Sequence, residues 1–596
     1  MKKTKVALSL VLASSFLVAG LASFANVSKI KSLKADASDF SIITNLENEK
    51  VIHTDQQAAY LSYDGNYETI PEDNYPDGQK HLSDPNPVNL EWSYSSKNGK
   101  TVTRYDVVVG KEADLSDGYT IKGTSSASLD VYNSYLGDNY FKVIANFDDG
   151  SKDESGINKY KVEESYPRNL KIDGMTNCRD MGGARTLVND GRIKQGLIFR
   201  TSSTSSWAYG RGDVPDTITN DGKEELLNRL GCKTEINVNN SGSAVAGIEN
   251  YVQAYMYYDG GKHHLYRNGE PIKAVFHALS NPDNYPVFYH CRIGTDRTGL
   301  CAILISGLLG VSENDIYQDY LFSNFGNIQE KRYIGEKAGR DNILNYINDL
   351  KAFPGEQFHN KVYNYLLSIG VPASELDSVI NILTEGPIAQ GNNNCQEMVL
   401  AKDFYSNDLE AKTSANAVHP STYYTLEADK SVVATIDAKY SGEAKLVAYL
   451  GSTDSSASKK INESVSAYFD GMEVEISDEL TFSSVGFGQG DGRTYYSAIV
   501  LGDVYVSEGS CDAEIYGIAN NLNIGAISVI PNEQIIISGE EEMPEGVTGS
   551  EPTSNPSKSS SNGCGGSIIA ASSLISLLAV SGTAFLIIKK RRDNQQ

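Results

Sequence analysis

One stretch of the 596-residue chain concentrates chemistry: Tyr289-His290-Cys291-Arg292-Ile293-Gly294-Thr295-Asp296-Arg297-Thr298-Gly299. It lies between a short apolar run, 286–289, and a longer one, 298–309, which read as a strand and a helix. A cysteine six positions ahead of an arginine at such a strand-to-helix turn is a phosphate cradle. Roughly six peptide N–H groups, those of Arg292, Ile293, Gly294 and Thr295 among them, can converge on an oxyanion. The helix N-terminus adds partial positive charge, and the planar fork of Arg297 can hold two phosphate oxygens. The same field favours the Cys291 sulfur as thiolate, the attacking form. Gly294 lets the backbone curl without a Cβ clash, Thr298 is expected to donate its hydroxyl to the thiolate, and Gly299 lets the helix approach the sheet. His290 is expected to brace the loop. The Cys-to-Arg spacing alone would say little; the His, Gly, Thr and Gly at their positions make the pattern specific.

The elements that must position this loop belong to a mixed segment, 166–390. An apolar-spaced helix at 224–230 ends at Gly231, strands read at 234–238 and 286–289, and a later amphipathic helix covers 374–383. Strands alternating with helices predict a central sheet flanked by helices. Residues 87–165 have a different texture, in which Leu90 and Trp92 alternate with polar neighbours and short β-branched runs are separated by turns, as in a β-sandwich. Residues 391–539 are again β-rich, and 38–86 are polar and turn-rich. Residues 540–566 hold almost no large apolar side chain and read as a disordered stalk.

Both ends carry address signals. Lys2, Lys3 and Lys5 ahead of an apolar run mark residues 1–37 as a signal peptide. Residues 567–588 lack charge, measure about 33 Å as a helix, and precede Lys589, Lys590, Arg591 and Arg592, so a transmembrane helix with a short cytoplasmic tail, 589–596, is expected. That arrangement predicts a single-pass membrane protein with its bulk outside the cell. Lys+Arg at 52 against Asp+Glu at 76 gives a net charge of −24, the wrong balance for a nucleic-acid binder. The seven cysteines are too scattered for a disulfide scaffold, although Cys395 and Cys511 bracket one region and could pair. No Cys/His cluster has zinc spacing, so neither metal nor cofactor is indicated.

The loop resembles the signature of the cysteine-dependent protein-tyrosine-phosphatase superfamily. Asp296-Arg297-Thr298-Gly299 is similar to the loop of its secreted bacterial branch, which acts on phosphotyrosine, phosphoserine and phosphoinositides. Further blocks agree: Asn177-Cys178-Arg179-Asp180-Met181-Gly182-Gly183, Asp190-Gly191-Arg192, Gly196 to Ser202, Leu309 to Ser312, and Asp319-Tyr320-Leu321 with Ser323-Asn324. The resemblance covers about 220 of the 596 residues. Residues 87–165 resemble a fibronectin type III module through Leu90, Trp92, Tyr105, Val107, Val109 and the run from Leu136 to Ala145. The chain departs from the phosphatase pattern at Thr295, where a Lys is usual, and at Asn237-Val238-Asn239, where Asp-Leu-Arg is usual; both changes point to weakened or redirected activity.

The resemblance implies an α/β phosphatase domain, which the strand patterning of 87–165 and 391–539 places between two all-β sandwich-like domains. It further implies a two-step hydrolysis in which Cys291 takes the phosphoryl group and Asp296 protonates the leaving oxygen, later serving as base for water. Asp259 is the alternative acid, with a turn role at its Asp-Gly pair as the plain reading, and Asp296 has its own, an ion pair with Arg297. Arg179 and Asp180 are expected to pair with each other in support of the site, His263 and His264 to be solvated or to line a pocket, and Cys301 to be core. The implied partner is a phosphorylated extracellular peptide, lipid headgroup or inositol phosphate, with membrane attachment through the C-terminal helix. A catalytically weakened fold kept for surface binding or adhesion is the alternative.

Overall fold

A computed structural model describes residues 39–532 except 97–98, 187–190, 206–216, 258–264, 266–267, 336–342, 352–356, 386–398, 414–421, 439, 453–457, 485–494 and 520–521. Asp259, His263, His264, Cys395 and Cys564 lie outside the described residues, as do the expected signal peptide, stalk and tail.

The first β unit is built on strict alternation. In β2 (Val88–Tyr94) Val88, Leu90 and Trp92 are buried while Asn89, Glu91 and Ser93 are exposed, the period-two pattern of a strand with one wet face. One sheet has the order β1 (Phe40–Ile42), β2, β5 (Ser128–Val131). The other runs β4 (Tyr119–Thr124), β3 (Val102–Gly110), β6 (Gly137–Phe147), β7 (Lys152–Glu154), with β8 (Asn158–Val162) also on β6. Leu90, Trp92, Val107, Phe141, Val143 and Tyr160 share the core.

The polar-looking segment ahead of residue 87 does two things its composition does not announce. It supplies β1, and beyond it a strap spanning residues 55–87 runs onto the α/β unit. The strap opens with α1 (Asp55–Leu61), whose N-terminus is closed by a reciprocal Thr54–Gln57 capping box. Tyr60, Tyr67, Ile70 and Tyr75 are buried in the same apolar cluster as Leu300, Ile303 and Phe322 of the α/β unit.

The α/β unit has a six-stranded sheet in the order β13 (Asn250–Gln253), β12 (Thr234–Asn237), β14 (Val287–His290), β11 (Ile198–Thr201), β10 (Arg179–Asp180), β9 (Arg168–Asn169). β13, β12, β14 and β11 are parallel, and the last two strands run antiparallel. β14 is buried at every residue, as a central parallel strand covered on both faces should be. The helix that follows, Asp296–Leu308, is buried from Thr298 onward, which explains why it is apolar all round. The expected helix at 224–230 is an α turn, Asn220–Lys223, running into a π-helical stretch, Glu224–Arg229.

Residues 399–532 form two further antiparallel sheets with a core of their own, which includes Leu446, Phe469, Ile515 and Ile527. Cys511 has a free thiol there, its Sγ donating to the Ser507 carbonyl at 3.1 Å. No helix among the described residues is long and apolar enough to cross a membrane. This corrects the expected C-terminal transmembrane helix and the single-pass location drawn from it; an apolar run ahead of basic residues is a pattern of composition, and residues 567–588 lie outside the described residues.

Candidate active site

Cys291 directly follows β14, with β12 and β11 on either side, so the sulfur-bearing residue sits at the C-terminal edge of a parallel sheet, where open α/β sheets form their crevices. The chain then turns sharply at Gly294, whose φ is +74°, and a Cβ there would meet the Thr201 carbonyl oxygen at 2.6 Å. Only glycine satisfies both conditions. Cys291 is 2% exposed, and Arg292, Asp296 and Arg297 are half-buried. The Thr298 hydroxyl oxygen accepts the Cys291 N–H at 2.7 Å, so the side chain expected to serve the thiolate secures the nucleophile's backbone.

His290 is buried, with Nδ1 donating to the Cys291 carbonyl at 2.9 Å and Nε2 facing Glu235 Oε1 at 2.9 Å. The other Glu235 oxygen accepts the Val245 N–H at 2.7 Å. The bracing expected of His290 therefore has an anchor on β12. Glu235 was not legible as a partner, because 55 residues separate it from His290.

Behind the loop lies a buried ion-pair network. Asp319 takes Arg179 Nε on Oδ1 at 2.6 Å and Arg200 Nη1 on Oδ2. Arg179 also donates to the Asp319 carbonyl at 2.7 Å and to Ser323 Oγ at 3.1 Å, and Arg200 Nη2 donates to the Gly294 carbonyl at 2.9 Å. Burial pushes the Asp319 carboxyl up, but the two guanidiniums outweigh it and hold the group below its ordinary range. Asn177, at φ +57°, continues the network: Arg179 Nη1 donates to its Oδ1, while its Nδ2 donates to the Ile293 carbonyl and to Thr295 Oγ1, each at 3.2 Å. Thr295, at the position where a Lys is usual, is thereby tied into the loop's support.

The expected Arg179–Asp180 pair does not form. Adjacent residues on a strand point to opposite faces, so Arg179 turns toward Asp319. Asp180 meets Arg168 Nε at 3.4 Å and accepts the Gly182 and Gly196 N–H groups, each at 2.7 Å. Burial raises the Asp180 carboxyl, partly countered by Arg168. Asn237 and Asn239 form a closed turn in which Asn237 Oδ1 accepts the Asn239 N–H at 2.8 Å and Asn237 Nδ2 donates to Tyr251 at 2.9 Å.

Asp296 opens the helix and is 17% exposed, its carboxylate gripped by a residue the sequence did not single out. Arg332 Nε lies 3.0 Å from Oδ1, and Nη2 lies 3.2 Å from Oδ2. Asp296 therefore forms an ion pair with Arg332. Cys301 is core: it is buried, its Sγ lies 3.6 Å from Met256 Sδ, and burial pushes its thiol up to about 12. Among the described residues no group of His, Cys, Asp and Glu could hold a metal ion.

Residues 170–355 match the tyrosine phosphatase family, a span that contains the loop and its buried supports. A protein of Cupriavidus necator named "Putative tyrosine-protein phosphatase" is 46% identical over 43 residues, 7% of this chain and 16% of that protein's length. Together the two matches support a place for this unit in the protein-tyrosine-phosphatase-like superfamily. Among solved structures, a family 35 carbohydrate binding module from Clostridium thermocellum covers 23% of this chain and 98% of its own, at 14% identity and a TM-score of 0.18. The C-terminal family 6 module of LamC from Zobellia galactanivorans covers 23% and 98%, at 16% identity and a TM-score of 0.17. Likeness of that degree says nothing about what this chain binds.

Proposed function

We propose that this chain hydrolyses phosphomonoesters through a phosphocysteine formed on Cys291. The observation that carries the reading is the loop itself: a cysteine at the end of a central parallel strand, a left-handed turn at Gly294, and a helix starting at Asp296-Arg297, all backed by a buried Arg–Asp–Arg network. In the first step the Cys291 sulfur attacks phosphorus, the P–O bond breaks, and the electron pair leaves on the alcohol or phenol oxygen, which takes a proton from Asp296. Arg297 and the loop amides hold the other phosphate oxygens through the transition state. In the second step Asp296 accepts a proton from water as its oxygen attacks phosphorus, and the S–P bond breaks to release inorganic phosphate and Cys291.

The tyrosine phosphatase family match suggests phosphatase activity, which requires a phosphorylated substrate. The finer placement rests on residue patterns. Asp296-Arg297-Thr298-Gly299 and the Asn177–Gly183 block favour the secreted bacterial branch, with phosphotyrosine or phosphoserine peptides, phosphoinositides and inositol phosphates as candidate substrates. The sandwich ahead of the catalytic unit is read as a fibronectin type III-like spacer.

The test is phosphate release by the full chain from an aryl phosphate, an inositol phosphate and a phosphoinositide, with Cys291→Ser as control. Turnover of at least one ester that disappears in the variant is expected. Silence on all three would favour a binding role, and turnover that survives Cys291→Ser would reject the mechanism.

A further inference from the structure

Arg332 belongs to a stretch, 326–332, that is held from several directions. Buried Asn324 clasps its backbone: Oδ1 accepts the Arg332 N–H at 2.7 Å, and Nδ2 donates to the Arg332 carbonyl at 3.1 Å. The strap holds the same stretch. The Ile328 N–H donates to the Gly78 carbonyl at 2.8 Å, and Lys331 Nζ donates to the carbonyls of Glu72 and Tyr75 at 2.6 and 3.0 Å. Gly78 has φ +71°, and a Cβ there would meet the Glu330 carbonyl oxygen at 2.8 Å, so strap and stretch touch backbone to backbone.

So held, the Arg332 guanidinium meets Asp296 fork to fork, while its Nη1 donates to Glu330 Oε1 at 3.0 Å and to the Glu330 carbonyl at 3.3 Å. Two parallel N–H···O bonds fix the plane of a carboxylate as well as its position. An ionised carboxylate has about four lone-pair sites, so a fork that takes two leaves others able to carry a proton. An acid in the first turn already suits the helix dipole. The helix start does not need Arg332; the direction of the carboxylate does.

We infer that Arg332 is a positioning residue for proton transfer, aiming Asp296 at the departing oxygen and then at the hydrolytic water, and that the strap holds it there. The inference rests on the proposed role of Asp296. In the full chain, Arg332→Gln, Arg332→Lys, Asp296→Asn and the Arg332→Gln/Asp296→Asn double variant are compared on 4-nitrophenyl phosphate, whose leaving group needs little protonation, and on an inositol phosphate, whose alkoxide needs it fully. Arg332→Gln is expected to lower kcat on the inositol ester by about ten- to a hundredfold while changing the nitrophenyl ester by no more than about threefold. The double variant is expected to be no slower than Asp296→Asn alone, since both act through one carboxylate. Arg332→Lys keeps the charge without the fork and is expected to show the same selectivity, to a smaller degree.

Equal losses on both esters, or losses that add in the double variant, would reduce Arg332 to a structural role while leaving Asp296 as acid. Should Arg332→Gln not fold, Arg332→Lys decides: a selective loss supports the inference, and an unchanged ratio of the two esters overturns it. An Asp296→Asn variant without selective loss would remove both the acid and its positioning residue.

Discussion

At the scale of residues, contiguity decides what can be read. The members of the loop from His290 to Gly299 are neighbours in the chain, so their types and spacing carried most of the site. Its supports are remote: Asp319 is 140 residues from Arg179, and Arg332 is 36 from Asp296 in a stretch without periodicity. Gly294→Ala is expected to cost about 1–3 kcal/mol through its left-handed φ alone. The clash with Thr201 would add to that and deform the cradle, and urea midpoints together with phosphate release would show both effects. Asp319→Asn leaves two buried guanidiniums facing each other and is expected to cost about 3–5 kcal/mol at neutral pH. The sign of its pH dependence follows from the depressed folded-state value. The unfolded chain binds the proton more tightly, so the stabilisation is complete above the ordinary carboxylate value of about 4 and is lost as pH falls through the lower folded value. The gap in urea midpoint between the parent protein and Asp319→Asn should therefore be widest at neutral pH and narrow under acid; a gap that widens below about pH 4 would contradict the assignment.

At the scale of elements, alternation revealed the strands of the sandwich, and an apolar run between turn residues revealed β14 and its helix. The strap stayed hidden because its apolar payload is delivered by tyrosines at no helical or strand period, each with a hydroxyl that reads as polar. Tyr60 shows how that works: its ring is buried against Tyr67, Tyr75, Phe322 and Phe325, and its hydroxyl donates to the Gln318 carbonyl at 2.8 Å. Tyr60→Ala is expected to cost about 3–5 kcal/mol, as for other buried aromatics, whereas Tyr60→Phe, which removes only the hydroxyl, should cost about 0.5–1.5 kcal/mol. Equal and small effects in denaturant titrations would mean that the strap is a loose covering.

At the scale of the whole molecule, the described residues from 39 to 532 belong to one compact unit. The sandwich is bonded to the α/β unit by reciprocal pairs. Asn133 Nδ2 donates to the Lys171 carbonyl at 2.9 Å while its Oδ1 accepts the Lys171 N–H at 2.7 Å, and Gln195 does the same for the backbone of Leu136 at 2.9 and 2.8 Å. Such pairings leave no trace in sequence, because Asn and Gln are common on any surface. Asn133→Ala removes one pair from a buried position and is expected to cost about 1–3 kcal/mol. It should also speed proteolytic separation of the sandwich; unchanged cleavage would place the coupling elsewhere. The proposed mechanism puts the phosphoryl group on the sulfur of Cys291, and rapid acid quench during turnover of a 32P-labelled ester, followed by mapping of the labelled peptide, tests that most directly. The label is expected on Cys291, accumulating in Asp296→Asn if Asp296 activates the water. Turnover with the label on another residue, or with no protein-bound label in either protein, would contradict the account.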